Sequence, residues 1–316
     1  MSFPGSGGLL GFVIVFTNVF LMLIYLLCGF SLVKSGKAES GHAKSVSGLL
    51  IYVCGPCMIL NAFQSMEHSA ENFGKMAVFF LVTLLLQLVF VGILYAVLHR
   101  RYDNPQYRIL TAGAVLANGG FFGLPVITAL FPNEPIVACY STLYITGMNL
   151  LVFTVGVFLI TRDKKYISPR AALLNPTTLA AIASLLLALC DIRLPETAAN
   201  AVSLLGKMTT PLCMVVLGMR LASANLKKIF TRSFAYADSL LKLIVFPIFC
   251  YLCVCFLPCF DEVFKISVLV LSACPSAAII LSLAELHGCE QELSANVVLL
   301  STLLSLFTLP LLLLIV

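Results

Sequence analysis

The stretch "LTAGAVLANGGFFGLPVITALF", Leu110–Phe131, is an apolar segment with a dense group of helix-weakening residues at its centre. Glycine costs a helix about 1 kcal/mol relative to alanine, and proline removes a backbone donor. The segment therefore predicts a helix that is interrupted halfway, with a second half that begins near its proline. The residues of this group fall within eight positions: Asn118, Gly119, Gly120, Gly123 and Pro125.

An interruption of this kind exposes backbone groups that a continuous helix would pair. The first N–H groups of the second half have no intrahelical acceptor, and they lie at the positive end of its dipole. Such a helix start is suited to binding an anion. Asn118 adds a side-chain amide that can both donate and accept hydrogen bonds.

The composition places this interrupted helix in a membrane. The chain has 316 residues, of which 60% are hydrophobic and 10% charged, and its mean hydropathy is +1.05. Soluble domains carry about 25% charged residues. A chain of this composition needs lipid around its apolar surface, so we expect the bilayer itself as a partner.

Ten segments are long enough to cross a bilayer, which takes roughly 20 residues. The links between them are short and leave no room for a soluble domain. We number the predicted spans 1 to 10 in chain order: 9–33, 44–64, 76–98, 107–131, 136–161, 174–190, 197–222, 233–257, 265–287 and 292–315.

Charged residues in the links predict the orientation. Lys and Arg cluster in the links after spans 1, 3, 5 and 7, whereas the links after spans 2, 4, 6 and 8 carry Asp and Glu. Basic links face the cytoplasm, so both termini of this multi-pass protein of the cell membrane are expected outside. The link after span 9 departs from the pattern, because it is acidic; acidic residues weigh little in the rule.

The two halves of the chain resemble each other. "GPCMILNAF" from Gly55 matches "TPLCMVVLGM" from Thr210, and "LLQLVF" from Leu85 matches "LLKLIVF" from Leu240. Five spans in each half force the second copy into the membrane upside down. Inverted repeats are typical of secondary transporters, with the site where the copies meet. We therefore predict repeats over 1–161 and 174–316, joined by a short cytoplasmic link at 162–173.

Span 9 contains the counterpart of the interruption in span 4. "LVLSACPSAAIILSLAEL", Leu269–Leu286, places Cys274, Pro275 and Ser276 at its centre. If the two interrupted helices cross, the starts of their second halves converge on one point. Ordinary Pro/Gly kinks, which are common in membrane helices, are the alternative for each span alone. Their occurrence in equivalent spans favours a binding site.

Three polar residues interrupt apolar runs and are candidates to support the site. Lys242 lies deep in span 8, where a lysine costs about 2.5–3.5 kcal/mol, and Asp238 lies one turn before it. Lys242 could be the counter-charge of an anionic substrate, an i, i+4 partner of Asp238, or a side chain that snorkels to the surface. Gln87 is the repeat counterpart of Lys242 in span 3.

Glu71 and Lys75 have i, i+4 spacing at the mouth of span 3, where an exposed surface pair is the simpler interpretation. Asn61 in span 2 is a buried polar candidate that could instead bond a neighbouring helix. The motif Cys54-Gly-Pro-Cys57 has the spacing of a dithiol redox site. It lies inside span 2, however, and its repeat counterpart keeps only the proline, so we interpret it as a proline kink.

Other classes of function lack support. Histidines have no metal-ligand spacing, and there is no phosphate-binding loop of an ATP-driven pump, so we expect neither a metal nor a cofactor. No nucleophile has a base nearby in the sequence, so no catalytic residue is assigned and an enzyme is not expected. The modest net charge of +5 belongs to the links and does not suggest a nucleic-acid partner.

The motifs resemble those of the auxin efflux carrier family. "LANGGFFGLPVITALF", from Leu116, is similar to the span-4 signature of that family. "LSACPSAAIILSLAELHG", from Leu271, and "VVLLSTLLSLFTLPLLL", from Val297, resemble its spans 9 and 10. The likeness covers nearly the whole chain. The short 162–173 link lacks the long hydrophilic loop of many plant members, so the chain resembles a bacterial-type permease.

This resemblance implies an all-α membrane protein of ten helices in two inverted five-helix repeats. Spans 1, 2, 6 and 7 would form a scaffold, and spans 3–5 and 8–10 a mobile transport domain in which helices 4 and 9 cross. Asn118, Pro125 and Pro275 match the crossover residues of the family, and Glu71 and Lys75 match a pair beside the site in plant members. Span 9 departs from some relatives, because it has no Asn beside Pro275.

We therefore expect a secondary transporter that moves a small organic anion by alternating access. Family members carry acids such as malate, malonate or auxin, so a carboxylate is expected. The alternative is a multi-span receptor or sensor for a small organic acid, which would bind without transport. A homodimer is compatible with the sequence, which does not decide the oligomeric state, the coupling ion or the direction of transport.

Overall fold

The computed structural model describes residues 7–39, 41–223 and 226–314, and in this part of the chain the protein is helical. The first half contains α1 (Gly7–Lys34), α2 (His42–Leu49), α3 (Gly55–Ser65), α4 (Ala70–Leu98), α5 (Pro105–Val115), α6 (Gly123–Leu130), α7 (Ile136–Leu151) and α8 (Val157–Thr161).

A short α9 (Pro169–Leu173) follows in the link between the halves. The rest of the chain contains α10 (Pro176–Leu189), α11 (Glu196–Lys207), α12 (Thr209–Ser223), α13 (Leu226–Thr231), α14 (Ser233–Leu240), α15 (Phe246–Cys255), α16 (Glu262–Ser272), α17 (Ile279–His287) and α18 (Gln291–Leu312).

Eight helical segments are long and apolar enough to cross a membrane, counted over the residues that the structure describes. The chain is therefore a multi-pass membrane protein. The eight correspond to predicted spans 1, 2, 3, 5, 6, 7, 8 and 10. Predicted spans 4 and 9 do not appear as continuous helices, since each consists of two shorter helices, α5 with α6 and α16 with α17.

Polar caps define where several of these helices start. Asn104 and Asn175 each accept a backbone N–H two residues on, and each is followed by a proline in the first helical turn. Ser69 and Asp261 accept from the backbone N–H three residues on. These caps satisfy donors that the helices themselves leave unpaired, which fixes the entry points of α4, α5, α10 and α16.

Two prolines inside spans are preceded by a wider turn. A π-helical turn over Leu50–Cys54 precedes Pro56, and another over Leu241–Val245 precedes Pro247. Proline clashes with the carbonyl four residues before it, and a π turn relieves that clash. Cys54 lies in the first of these turns and is fully buried. The C-x-x-C motif is thus part of a kinked membrane helix.

The helices pack in two groups. In one group α1 lies along α12, while α3 contacts α10 and α11. In the other, α4 contacts α7, α14 contacts α5 and α18, and α15 contacts α16. The groups also contact each other, because α1 touches α6 and α18, and both α3 and α10 touch α7.

The α1–α12 crossing depends on two glycines. A Cβ atom at Gly29 would lie 2.0 Å from the Val215 carbonyl oxygen, and one at Gly218 would lie 1.9 Å from that of Leu26. The two backbones are therefore in direct contact. Without a hydrophobic driving force between helices in lipid, such close approach is a main source of helix association.

We predict that Gly29→Ala or Gly218→Ala separates α1 from α12 and lowers the free energy of unfolding by about 1–3 kcal/mol, the usual cost of overpacking. Thermal unfolding of the purified protein in detergent measures this. Gly92→Ala on α4 is the matched control, because a Cβ there meets nothing within 4 Å. Equal melting temperatures for all three variants would contradict the proposed backbone contact.

Candidate functional site

The two interruptions lie against each other. Residues 116–122 separate α5 from α6, and residues 273–278 separate α16 from α17. The Asn118 N–H donates to the Pro275 carbonyl oxygen over 2.8 Å, and the Ala277 N–H donates to that of Leu116 over 2.8 Å. This antiparallel bridge satisfies backbone groups that neither broken helix can pair by itself. We call the paired segments the crossover.

The glycines of the first interruption allow close packing. A Cβ at Gly119 would lie 2.7 Å from the Tyr144 ring, and one at Gly120 would lie 2.6 Å from Cδ1 of Ile145. At Gly123 it would lie 2.7 Å from Leu271 and 2.9 Å from Cys274 Sγ. The glycines therefore let the crossover press against α7 and α16. They do not line the cavities described below.

Lys242 contacts the C-terminal ends of α5 and α16, the helices that precede the two interruptions. Its fully buried ammonium donates to the carbonyl oxygen of Ser272 over 2.8 Å and lies 3.5 Å from that of Val115. Val115 and Ser272 are the last residues of α5 and α16, whose carbonyls and negative dipole ends otherwise lack a partner. One cation thus caps two converging helices, an interpretation that the sequence did not suggest.

Asp238 lies on the other side of the same crossover. It is fully buried, and its Oδ2 lies 3.2 Å from the Ser276 hydroxyl, which is also 3.1 Å from the Gly113 carbonyl oxygen. A Cβ at Gly113 would fall 2.1 Å from Asp238 Oδ1, so only glycine admits the carboxyl group here. Ser276 and Asp238 therefore hold α5, α14 and the second interruption together.

A cavity of about 150 Å³ borders the crossover on one face, and we call it the Asn118 cavity. The start of α17, at Ala278 and Ile279, forms part of its wall. Asn118 is 6% exposed, and its side-chain amide faces this space beside Cys213. The positive end of the α17 dipole and a side-chain amide therefore meet in one small cavity.

A second cavity, of about 360 Å³, borders the other face, and we call it the Pro125 cavity. It is lined by the start of α6 at Leu124 and Pro125 and by residues of α1, α3 and α11. Asn61 and Lys207 contribute polar groups to its wall. Each second half-helix of the crossover thus begins at a different cavity.

The two cavities lie at different heights on the same helices. The residues of α11 and α12 that line the Pro125 cavity lie about 12 Å along the helix axis from the α12 residues that line the Asn118 cavity, at 1.5 Å per residue. Phe121 lines the Asn118 cavity and Thr210 the Pro125 cavity, and the Thr210 hydroxyl donates to the Phe121 carbonyl oxygen over 2.9 Å. This contact separates the cavities.

The Asn118 cavity adjoins a wider vestibule of about 1000 Å³, with which it shares wall residues. Arg220, in the last turn of α12, lines both spaces. Sequence reasoning missed it, because Arg220 lies two residues before the predicted end of span 7, where a basic side chain can reach the membrane surface.

The remaining predicted residues lie apart from the crossover. Gln87 is buried on α4, where its Nε2 donates to the Thr83 carbonyl oxygen over 3.1 Å. Lys75 pairs with Glu71 over 2.9 Å and lies 3.6 Å from Asp261 in an exposed cluster. The structure therefore does not bring Gln87, Glu71 or Lys75 to either cavity, whereas Asn61 reaches the Pro125 cavity. The backbone of Pro275 and the buried Cys274 belong to the crossover interior.

A helical membrane protein with paired helix breaks and a cavity on either face has the construction of a membrane transporter. Comparison with known proteins agrees, because a family model described as "Membrane transport protein" matches residues 13–169 and 160–313. The chain belongs to this family, a permease of the auxin efflux carrier type, as its motifs suggested. It is 27% identical over 310 residues to an uncharacterized transporter of Methanocaldococcus jannaschii, covering 93% of this chain and 96% of the relative.

We predict that Lys242→Met destabilises the crossover, because it leaves two buried helix-end carbonyls without their cationic donor. A hydrogen bond to a charged group contributes about 1.5–3 kcal/mol, and we expect a loss of that size in the free energy of unfolding. Hydrogen exchange of the Asn118 and Ala277 amides should accelerate in parallel.

Lys265→Met is the control for that variant, since the Lys265 ammonium also donates to one carbonyl, that of Cys255, but at a partly exposed position where water can replace it. A Lys242→Met protein with wild-type melting and unchanged exchange at Asn118 would show that the ammonium does not hold the crossover together.

Proposed function

We propose that this protein is a secondary carrier for small organic anions, with the substrate carboxylate bound at the crossover and released by alternating access. The observation that carries the proposal is the pair of interrupted helices whose second halves begin at opposite cavities. A site accessible in turn from two sides needs such an arrangement, whereas a receptor does not.

Binding would take place in the Asn118 cavity. There a carboxylate would meet the amide of Asn118 and the first backbone N–H groups of α17, whose dipole favours negative charge. Charge-assisted bonds of this kind are roughly twice as strong as neutral ones. The bonds are also prearranged, because the crossover bridge already holds Asn118 and Ala277 in place.

Movement would occur between the two packing groups. The group of α1, α3, α10, α11 and α12 would form the scaffold of spans 1, 2, 6 and 7, and the other group would form the transport domain; the packing within each group supports this division. A rigid-body shift of the crossover along the scaffold would carry Asn118 from one cavity level to the other. The displacement of about 12 Å between the two linings along α11 and α12 gives the scale of that shift.

In this proposal the chain forms two inverted five-helix repeats. It has ten membrane helices if α5 with α6, and α16 with α17, each count as one broken helix. The basic links then lie in the cytoplasm and both termini outside the cell membrane. Since the vestibule is lined by Lys44 and Ser47 near the first basic link, the described conformation would be open to the cytoplasm.

We predict that Asn118→Ala abolishes acid-dependent behaviour without unfolding the protein, because the backbone bridge does not use the Asn118 side chain. The measurement has two arms on purified protein. One is thermal stabilisation by malonate, malate and indole-3-acetate, and the other is uptake of the stabilising acid into proteoliposomes. Asn200→Ala, on the exposed face of α11, is the control and should behave as wild type.

The two arms separate the possible outcomes. Stabilisation and uptake that are both lost in Asn118→Ala would support the proposal. Stabilisation of the wild type without any uptake would favour a receptor or sensor. Uptake that is unaffected by Asn118→Ala would move the substrate site away from the crossover.

A further inference from the structure

We propose that Arg220 binds the substrate carboxylate in the Asn118 cavity, and that this cavity selects acids with one carboxylate on an apolar body. The inference rests on the proposed function and names its substrate class. It follows from the unpaired buried nitrogen of Arg220, from the other side chains in the cavity wall, and from the size of the cavity.

Arg220 is a partly exposed cation with one buried and unpaired donor group. Its Nη1 is buried and has no hydrogen-bond acceptor, and it forms no ion pair with an acidic residue in the described part of the chain. The acids of the vestibule, Glu285 and Glu292, do not bind it, and Glu292 lies 3.4 Å from Arg232 instead. Leaving a buried charged donor unpaired is costly, which a bound anion would correct.

The chemistry of arginine fits a carboxylate. Its planar guanidinium presents parallel N–H groups that match the two oxygens of a carboxylate. Arg220 lines the same cavity as Asn118 and the start of α17, so all three positive or donating groups share one space. An acid that enters through the vestibule would reach Arg220 on its way to the crossover, because Arg220 lines both.

Ser282 adds a neutral hydroxyl to the wall, and three further polar side chains of the wall are already engaged. The Asn149 amide donates to Thr177 Oγ1 over 2.7 Å, the Asn175 side chain caps α10, and the Ser47 hydroxyl donates to the Ala43 carbonyl oxygen. The rest of the wall is apolar, with these members among others: Leu50, Phe121, Ile145, Met148, Val216 and Ile279.

This lining accommodates one charge. Arg220 is the cation of the wall, so a second carboxylate would be placed against apolar side chains without a counter-charge. Burying an unpaired charge in that way is strongly unfavourable. The volume of about 150 Å³ lies below the roughly 300–1,000 Å³ of pockets for drug-sized ligands, so the acid is small.

Hexanoate and adipate test the inference, because they differ only in whether the far end of a six-carbon chain is a methyl group or a second carboxylate. Thermal stabilisation and isothermal titration of the purified full-length protein measure binding of each. For the wild type we expect hexanoate to bind at least about tenfold more tightly than adipate, corresponding to one uncompensated charge.

Three variants identify the residue responsible. Arg220→Gln should weaken hexanoate binding by about tenfold or more. Arg220→Lys should weaken it less, because lysine keeps the positive charge but lacks the two parallel N–H groups of the guanidinium. Arg100→Gln should leave hexanoate binding unchanged. Arg100 is the control, because it is exposed in the link after α4 and lines neither cavity.

The outcomes distinguish this inference from the proposed function. If the wild type binds an acid but Arg220→Gln binds it equally well, or if adipate binds as tightly as hexanoate, Arg220 selection is wrong while transport can stand. If no acid binds or is taken up by the wild type, the proposed function fails first. Should Arg220→Gln not fold, the hexanoate-to-adipate ratio of the wild type and of Arg220→Lys still decides.

Discussion

The structure depends on one constraint, which is that a backbone interrupted inside a membrane must find its hydrogen-bond partners within the protein. Here two interruptions pair with each other through the Asn118 and Ala277 amides. The converging carboxyl ends of α5 and α16 share the ammonium of Lys242, while Ser276 ties in Asp238. Removing either broken helix would leave the other with unsatisfied polar groups, so the crossover forms as a unit.

A transporter gains two things from this arrangement. The start of α17 presents its positive dipole end to the Asn118 cavity without having to be assembled around the substrate, which reduces the cost of binding. At the start of α6 the N–H groups of Gly123 and Leu124 already donate to carbonyls of the first interruption. The starts of the two second half-helices also lie at different cavities. The Phe121–Thr210 contact between the cavities is a single hydrogen bond, which a movement between the packing groups can break.

The charged groups divide between maintaining this framework and facing the cavities. Lys242 and Asp238 are fully enclosed. The Lys242 ammonium binds helix-end carbonyls and Asp238 Oδ2 accepts from Ser276, although Asp238 Oδ1 is buried without a hydrogen-bond partner among the described residues. Arg220 borders a cavity and has a buried nitrogen with no partner. Depth in the membrane alone therefore does not identify a substrate-binding charge. What distinguishes Arg220 is that it borders the Asn118 cavity and the vestibule, whereas Lys242 and Asp238 line neither.

The sequence by itself determined the membrane class, most of the spans and the positions of both interruptions, because hydropathy, Gly and Pro act locally along a helix. It also singled out Asn118 and Lys242 as polar residues that need a reason. Only the tertiary structure decided that Gly119 and Gly120 serve packing, that Lys242 caps two helices, that Glu71 and Lys75 lie away from the cavities, and that Arg220 faces the Asn118 cavity. These assignments depend on which atoms of distant helices come within a few ångströms of one another, and no local pattern along the chain encodes that.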